Sequence, residues 1–221
     1  MKVKYPINLH KGSTFLFVFG LMLIYQNFTT PAWVYLALHG GYGILWLCKD
    51  AIYPDKQWEQ EISFTQGIFA FILVSSYWIA PFILISSGKE VVSPLLAAAI
   101  AMNIIGVFLH YSSDAQKYYT LKYQQGLITE GFFARSRNPN YLGEVLIYLS
   151  FAMLAQHWLP FLVLGGFVAG LFVPNMLKKD KSLSRYPQFA EYQNNSSLLI
   201  PKFWGNKSAE IKADMNESTT T

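Results

Sequence analysis

Hydrophobic and polar positions along this chain fall into long blocks rather than short alternations. Between Lys11 and Lys49 lie 37 residues without an Asp, Glu, Lys or Arg. A spanning helix takes about 20 apolar residues, so this block holds two helices and a tight turn. The polar group from Gln26 to Thr30, followed by Pro31, marks the turn, because proline suits a helix start. Two further charge-free blocks, Ile62 to Gly88 and Val91 to Ser113, are each one span long. The last, Val145 to Leu177, is broken by Gln156-His157-Trp158-Leu159-Pro160 and reads as two short crossings. The pattern predicts an all-α polytopic membrane bundle of about six transmembrane helices.

Composition agrees with that reading. The chain is 52% hydrophobic and 14% charged, whereas soluble domains carry about 25% charged residues. With 15 Gly, 10 Pro and one Cys, collagen-like, disordered and disulfide-scaffold classes are excluded. The net charge of +4 matters only once placed along the chain. With six spans, 16 of the 17 basic residues fall on the side of the N-terminus and Lys89 alone on the other. The positive-inside rule then puts both termini in the cytosol. A five-span alternative, with one bent helix over 145–177, strands the basic C-terminal segment outside.

The first span has no small-residue cleavage pattern behind it, so it reads as a retained helix rather than a signal peptide. Cys48, at the end of the second span, reads as a buried structural thiol. Asn27-Phe28-Thr29 has the form of a glycosylation acceptor but lies too close to the membrane for use. Residues 52–62 read as an interfacial stretch around Trp58. Residues 205–221 read as a disordered polar tail.

Polar chemistry concentrates between Ser113 and Trp204. Asp114 and Lys117 follow the fourth span and share a helix face, where the plainest reading is an exposed ion pair. His110, one turn earlier, reads as a packed, hydrogen-bonded histidine. The segment Arg135-Ser136-Arg137-Asn138-Pro139-Asn140-Tyr141-Leu142-Gly143-Glu144 leads into the fifth span. Helical spacing puts Arg137, Asn140, Glu144 and Tyr148 on one face. A carboxylate one turn inside a membrane needs a partner or a watery cavity, which makes Glu144 a functional candidate. A helix N-terminus beside two arginines is an anion site, open to a phosphate-bearing ligand or to membrane phospholipid. Beyond the sixth span, Tyr186, Phe189 and Tyr192 recur every three residues and suggest a short amphipathic helix closing over a cofactor. Leu198 to Trp204 would pin its end to the membrane.

Asn140-Tyr141-Leu142-Gly143-Glu144, preceded by Asp114-Ala115-Gln116-Lys117 and followed by Tyr186-Pro187 and Leu199-Ile200-Pro201, resembles the C-terminal domain of the steroid 5α-reductase and sterol-reductase superfamily. The resemblance covers roughly residues 105 to 204. It implies a membrane-helical enzyme that uses NADPH to reduce a carbon–carbon double bond of a lipid or steroid-like substrate. By that resemblance Asp114, Asn140 and Glu144 contact NADPH, with Tyr141 in the same motif. Lys117, Arg135 and Arg137 would be phosphate ligands by their chemistry, and Lys178 belongs to the expected cofactor-binding set. Two departures stand out: Arg137-Asn138-Pro139-Asn140 replaces the Arg-His-Pro-Asn of many relatives, and no Arg or His follows the final span directly. No catalytic acid can be matched; Tyr77 is one available phenol.

The same corner also resembles membrane methyltransferases acting on isoprenylcysteine or phospholipid headgroups, which use S-adenosylmethionine. Their paired glutamates are replaced here by Lys178-Lys179-Asp180-Lys181. The organisation expected is therefore 1–104 as helices lining a substrate cavity, 105–204 as a cofactor-binding region and 205–221 as the tail. The expected ligands are a lipid-like substrate and membrane lipids, with neither metal nor nucleic acid, and the cofactor site facing the cytosol. The membrane would be the endoplasmic reticulum in a eukaryote or the inner membrane in a bacterium. Substrate identity and oligomeric state are not legible.

Overall fold

The computed structural model describes residues 1–203, and among these the fold is all-helical, with only two isolated β-bridges. Six long helices follow one another: α1 (Lys4–Tyr25), α2 (30–52), α3 (Phe64–Ser87), α4 (Ser93–Tyr123), α5 (Pro139–Ala155) and α6 (Trp158–Leu183). A short α7 (Phe189–Asn195) ends the described chain. Helices α1, α3, α4 and α6 are long and apolar enough to cross a membrane. The disordered-tail reading and Trp204 lie outside the described residues.

Local chemistry sets the ends. Ser63 and Gln66 form a reciprocal capping box at the start of α3, and proline opens α4 and α5. Gln26, Gly88 and Gln156 end α1, α3 and α5 in the left-handed conformation. Three helices are interrupted internally. α2 carries a π-turn at Leu36–Gly40, α3 a 3-10 turn at Ser76–Trp78 and α6 a π-turn at Val168–Phe172. Such turns re-aim side chains within a continuous helix.

The tightest packing is between α4 and α5. Gly106 faces the Gly143 carbonyl, and a methyl group added at Gly106 would stand 2.7 Å from that oxygen. One added at Gly143 would stand 2.5 Å from the His110 nitrogen. Two glycines thus let the backbones touch, as small residues do in membrane helix pairs. Asn103 donates to Ser150 Oγ at 2.9 Å across the same seam, so neither polar group is buried unpaired. Around it, Tyr35, Leu84, Ile147, Phe151 and Met176 form a closed core. Phe64, Phe69, Ile72, Ile104 and Phe108 stay exposed on the outer faces of α3 and α4, the reverse of what water would select.

Several local expectations change. Cys48 is exposed, not buried. α1 begins at Lys4, so Lys11 is an internal residue of that helix rather than its flank. Asp114 and Lys117 sit on α4 but pair with other residues: Asp114 with Lys49 at 2.6 Å and Lys117 with Asp55 at 2.9 Å. Asn27 is buried and donates to the Ile85 carbonyl, a structural use of that side chain.

α7 buries Phe189 and Tyr192, and the Tyr192 hydroxyl donates to the Phe133 carbonyl in the segment before α5 at 2.9 Å. It braces that segment and does not line the central cavity. Burial pushes the Tyr192 phenol up to about 12, so it remains a donor throughout the neutral range.

Candidate functional site

The glycine seam sets the first wall of a central cavity. His110, on α4, donates from Nδ1 to the Asn140 carbonyl at 3.1 Å, which leaves Nε2 a bare acceptor in the neutral ring. Asn140, Tyr141 and Glu144 project from the first two turns of α5 into the cavity. It encloses about 1010 Å³ of atom-free space, open mouth included. Phe167, Leu171 and Phe172 of α6 and Leu73 and Val74 of α3 make its apolar sides. Glu144 is partly exposed to this space, and no ion pair among the described residues takes it up.

The facing wall comes from the first half of the chain. Gly43 of α2 packs against the Lys11 carbonyl, an approach that any side chain at 43 would block. This carries Lys11 into the interior, where it is only 4% exposed. Its Nζ donates to the Tyr148 hydroxyl at 2.5 Å and lies 4.1 Å from the Tyr42 ring centroid. A buried ammonium needs such partners, and the aromatic faces supply part of what water would. Tyr148 stacks on Tyr77 with centroids 3.5 Å apart, and Tyr77 stacks in turn on Phe167 at 4.3 Å. Tyr77, placed by the 3-10 turn of α3, has a buried hydroxyl with no hydrogen-bond partner.

A second cleft of about 1100 Å³, mouth included, adjoins the first. Lys49, Asp55 and Asp114 line both. Lys117, Lys56 and Lys122 belong to the outer cleft, beside Tyr53 and Tyr118. Lys49 and Asp114 form a buried ion pair at the junction, yet Asp114 Oδ1 has no partner. Asn140 Oδ1 is likewise buried and unpartnered. Burial and the nearby Asp114 carboxylate push the Tyr53 phenol up to about 12, so it remains a neutral donor.

The residues singled out from sequence therefore divide. Asp114, Asn140, Tyr141 and Glu144 line the inner cavity, and Lys117 lines the outer cleft beside Asp114. Arg137 turns away: its Nε donates to both Asp180 oxygens, at 2.9 and 3.1 Å, and Nη1 to the Ser196 carbonyl at 2.8 Å. Arg135 donates to the carbonyls of Lys202 and Phe203. Lys178 is exposed and lines neither cleft.

Lys11, Lys49 and Tyr148 are what sequence reasoning left unassigned, although Tyr148 falls on the face of Glu144. The two lysines bracket a charge-free block and so read as flanking charges. The helical continuation of α1 back to Lys4 is the signal that would have placed Lys11 inside.

An all-helical bundle with an apolar exterior and an internal cavity opening onto a lysine-lined mouth has the fold of a polytopic membrane protein. Residues 34–196 match the DUF1295 family, described as proteins of unknown function, and the chain belongs to that family. It is similar to two uncharacterised proteins of Schizosaccharomyces pombe. One is 31% identical over 110 residues, covering 44% of this chain and 31% of the relative. The other is 46% identical over 39 residues, covering 18% of this chain and 14% of the relative. The matched parts thus span a third or less of these relatives' length. No solved structure matches the chain.

Proposed function

We propose that this protein is a membrane reductase that uses NADPH to saturate a carbon–carbon double bond conjugated to a carbonyl in a lipid-like substrate. The observation that carries the reading is the pairing of two walls. One presents unpartnered buried acceptors, Asp114 Oδ1 and Asn140 Oδ1; the other presents the Tyr77 phenol and Lys11, whose ammonium meets the Tyr148 phenol of α5. Acceptors without donors suit ribose hydroxyls and a carboxamide N–H₂, which a dinucleotide offers. The resemblance of the Asp114 and Asn140–Glu144 segments to sterol reductases points the same way.

NADPH, when bound, supplies the hydride. The chain's own residues do the rest. Tyr148 donates a hydrogen bond to the substrate carbonyl, which draws electron density from the conjugated alkene and stabilises the enolate left by hydride addition; a proton from water then completes the saturated bond at the α-carbon. Lys11, donating to the same phenol oxygen, makes Tyr148 the stronger donor. Asp114 and Asn140 orient the cofactor, and the apolar sides from α3 and α6 exclude water from the reacting end. With the basic side of the bundle in the cytosol, the lysine-lined mouth faces the cofactor pool.

Fluorescence titration of the detergent-purified protein with NADPH and with S-adenosylmethionine tests this. Saturable NADPH binding that Asn140→Ala or Glu144→Gln weakens, with melting temperature little changed, is expected. Binding of S-adenosylmethionine in place of NADPH would instead assign methyl transfer. Equal loss of stability without loss of affinity would make the corner purely structural.

A further inference from the structure

The arginines beside the α5 N-terminus are the obvious phosphate ligands in the sequence, but neither of them lines the cavity or the cleft. Arg137 is buried and committed to Asp180 and Ser196, so its charge is already neutralised. Arg135 is held by two backbone carbonyls at the end of the described chain. A phosphate at either would have to dismantle contacts that fix the start of α5.

The outer cleft offers a different cation set. Its lysines are Lys49, Lys56, Lys117 and Lys122, against two carboxylates, Asp55 and Asp114. Lys49 and Lys117 neutralise those carboxylates, which leaves Lys56 and Lys122 as the excess charge. Lys122 lies 6.0 Å from the Tyr118 ring centroid, so cation and aromatic face stand together. The nine-tenths-buried Asp114, its Oδ1 unpartnered, stands where this cleft meets the inner cavity.

We propose that the outer cleft is the phosphate subsite for the nucleotide. Lys56 and Lys122 bind its phosphates, Tyr118 offers a stacking face for its base, and Asp114 accepts from a ribose hydroxyl at the junction. Arg135, Arg137 and Lys178 take no part. This rests on the NADPH reading and deepens it, since a dinucleotide is long enough to need both spaces and carries its phosphates in its middle and on its adenosine half, away from the nicotinamide. Two amines not taken up by the cleft's carboxylates make it selective for the extra 2′-phosphate, which distinguishes NADPH from NADH. The same amines could serve an anionic lipid headgroup, and the test separates the two sources.

The test is titration of the full chain, in detergent and in vesicles, with NADPH, NADH and 2′,5′-ADP. Removing one charge-assisted phosphate contact costs about tenfold in affinity, so Lys56→Gln and Lys122→Gln are expected to weaken NADPH and 2′,5′-ADP binding by about that factor each. NADH is expected to lose less, and the salt dependence of NADPH binding to flatten. Arg135→Gln and Lys178→Gln are expected to leave all three affinities in place. Both lysine variants alter exposed side chains, so they should fold.

Unchanged NADPH affinity in the Lys56→Gln/Lys122→Gln double variant would overturn the subsite and leave the reductase reading standing. So would an equal loss in Arg135→Gln. A lysine effect confined to vesicles containing phosphatidylserine, and absent in phosphatidylcholine, would assign the cleft to lipid and overturn it too. A wild-type protein that binds none of the three nucleotides would overturn both readings together.

Discussion

Lys11 and Tyr148 stand 137 positions apart in the chain, yet the Lys11 ammonium donates to the Tyr148 hydroxyl at 2.5 Å inside the bundle. Both side chains are buried, so each is the other's substitute for water. Tyr148→Phe should therefore destabilise the protein by roughly 1.5–3 kcal/mol, because it removes the hydrogen-bond acceptor of a buried ammonium. Lys11→Met strands only a hydroxyl and should cost about 1–3 kcal/mol. The double variant should be more stable than Tyr148→Phe alone. Chemical denaturation in detergent reads the cycle; strict additivity would mean the two groups do not couple.

The junction pair makes a parallel case with a different functional outcome. Asp114→Asn removes one partner of the buried Lys49 ion pair and should cost roughly 3–5 kcal/mol. Lys49→Met combined with Asp114→Leu should recover most of that stability while abolishing nucleotide binding. Stability and affinity measured on the same samples separate the two roles.

Gly143 decides the distance between α4 and α5. Alanine there would press on the His110 nitrogen and the Gly106 carbonyl, both within 2.6 Å of the added methyl. Overpacking of this kind costs about 1–3 kcal/mol. It should also weaken NADPH binding, since His110 and Asn140 are joined across the same contact. Gly166→Ala, where nothing lies within 4 Å of the new methyl, is the matched control and should change neither.

The N-terminal end is held to the loop before α3 by charge. Lys2 donates to Glu59 at 2.7 Å, and Lys4 donates to its other oxygen. The Lys2 hydrogen bond, with that of Lys4, holds the Glu59 carboxyl below its usual range. Its stabilising contribution is thus complete above the unfolded carboxylate value of about 4.3 and is lost as pH falls through the lower folded value. Lys2, raised by the same contact, keeps its share up to alkaline pH. Hydrogen exchange over residues 53–62 should be flat from neutral pH down to about 5 and rise below about 4, once corrected for intrinsic rates. Glu59→Gln should show the raised exchange at every pH.

Much of the architecture was legible because its causes are local. Charge-free blocks mark where helices lie, and Pro31, Pro94 and Pro139 mark where three of them start. The Asn140–Glu144 segment announced a polar face entering an apolar helix, and the structure turns that face into a cavity. The cation set was not legible. Arg135 and Arg137 stand next to that motif in sequence, but the chain after α6 folds back beside them and supplies Asp180, Ser196 and the carbonyls that absorb their donors. Sequence proximity cannot reveal a competitor that arrives from 40 residues and more away.

By itself, the sequence determined the solvent and the segments: apolar blocks must sit in lipid as helices, because their backbone groups have no other partners there. It also determined that a carboxylate at Glu144 needs an unusual environment. Only the tertiary structure decided which cations share that environment. Lys11 and Lys49, which read as flanking charges, become interior groups because Gly43 lets α2 close on α1 and because Asp114 and Tyr148 await them. Helix formation depends on neighbours a few positions away, whereas a binding cavity is made of surfaces from distant segments, and its charge balance exists only after they pack.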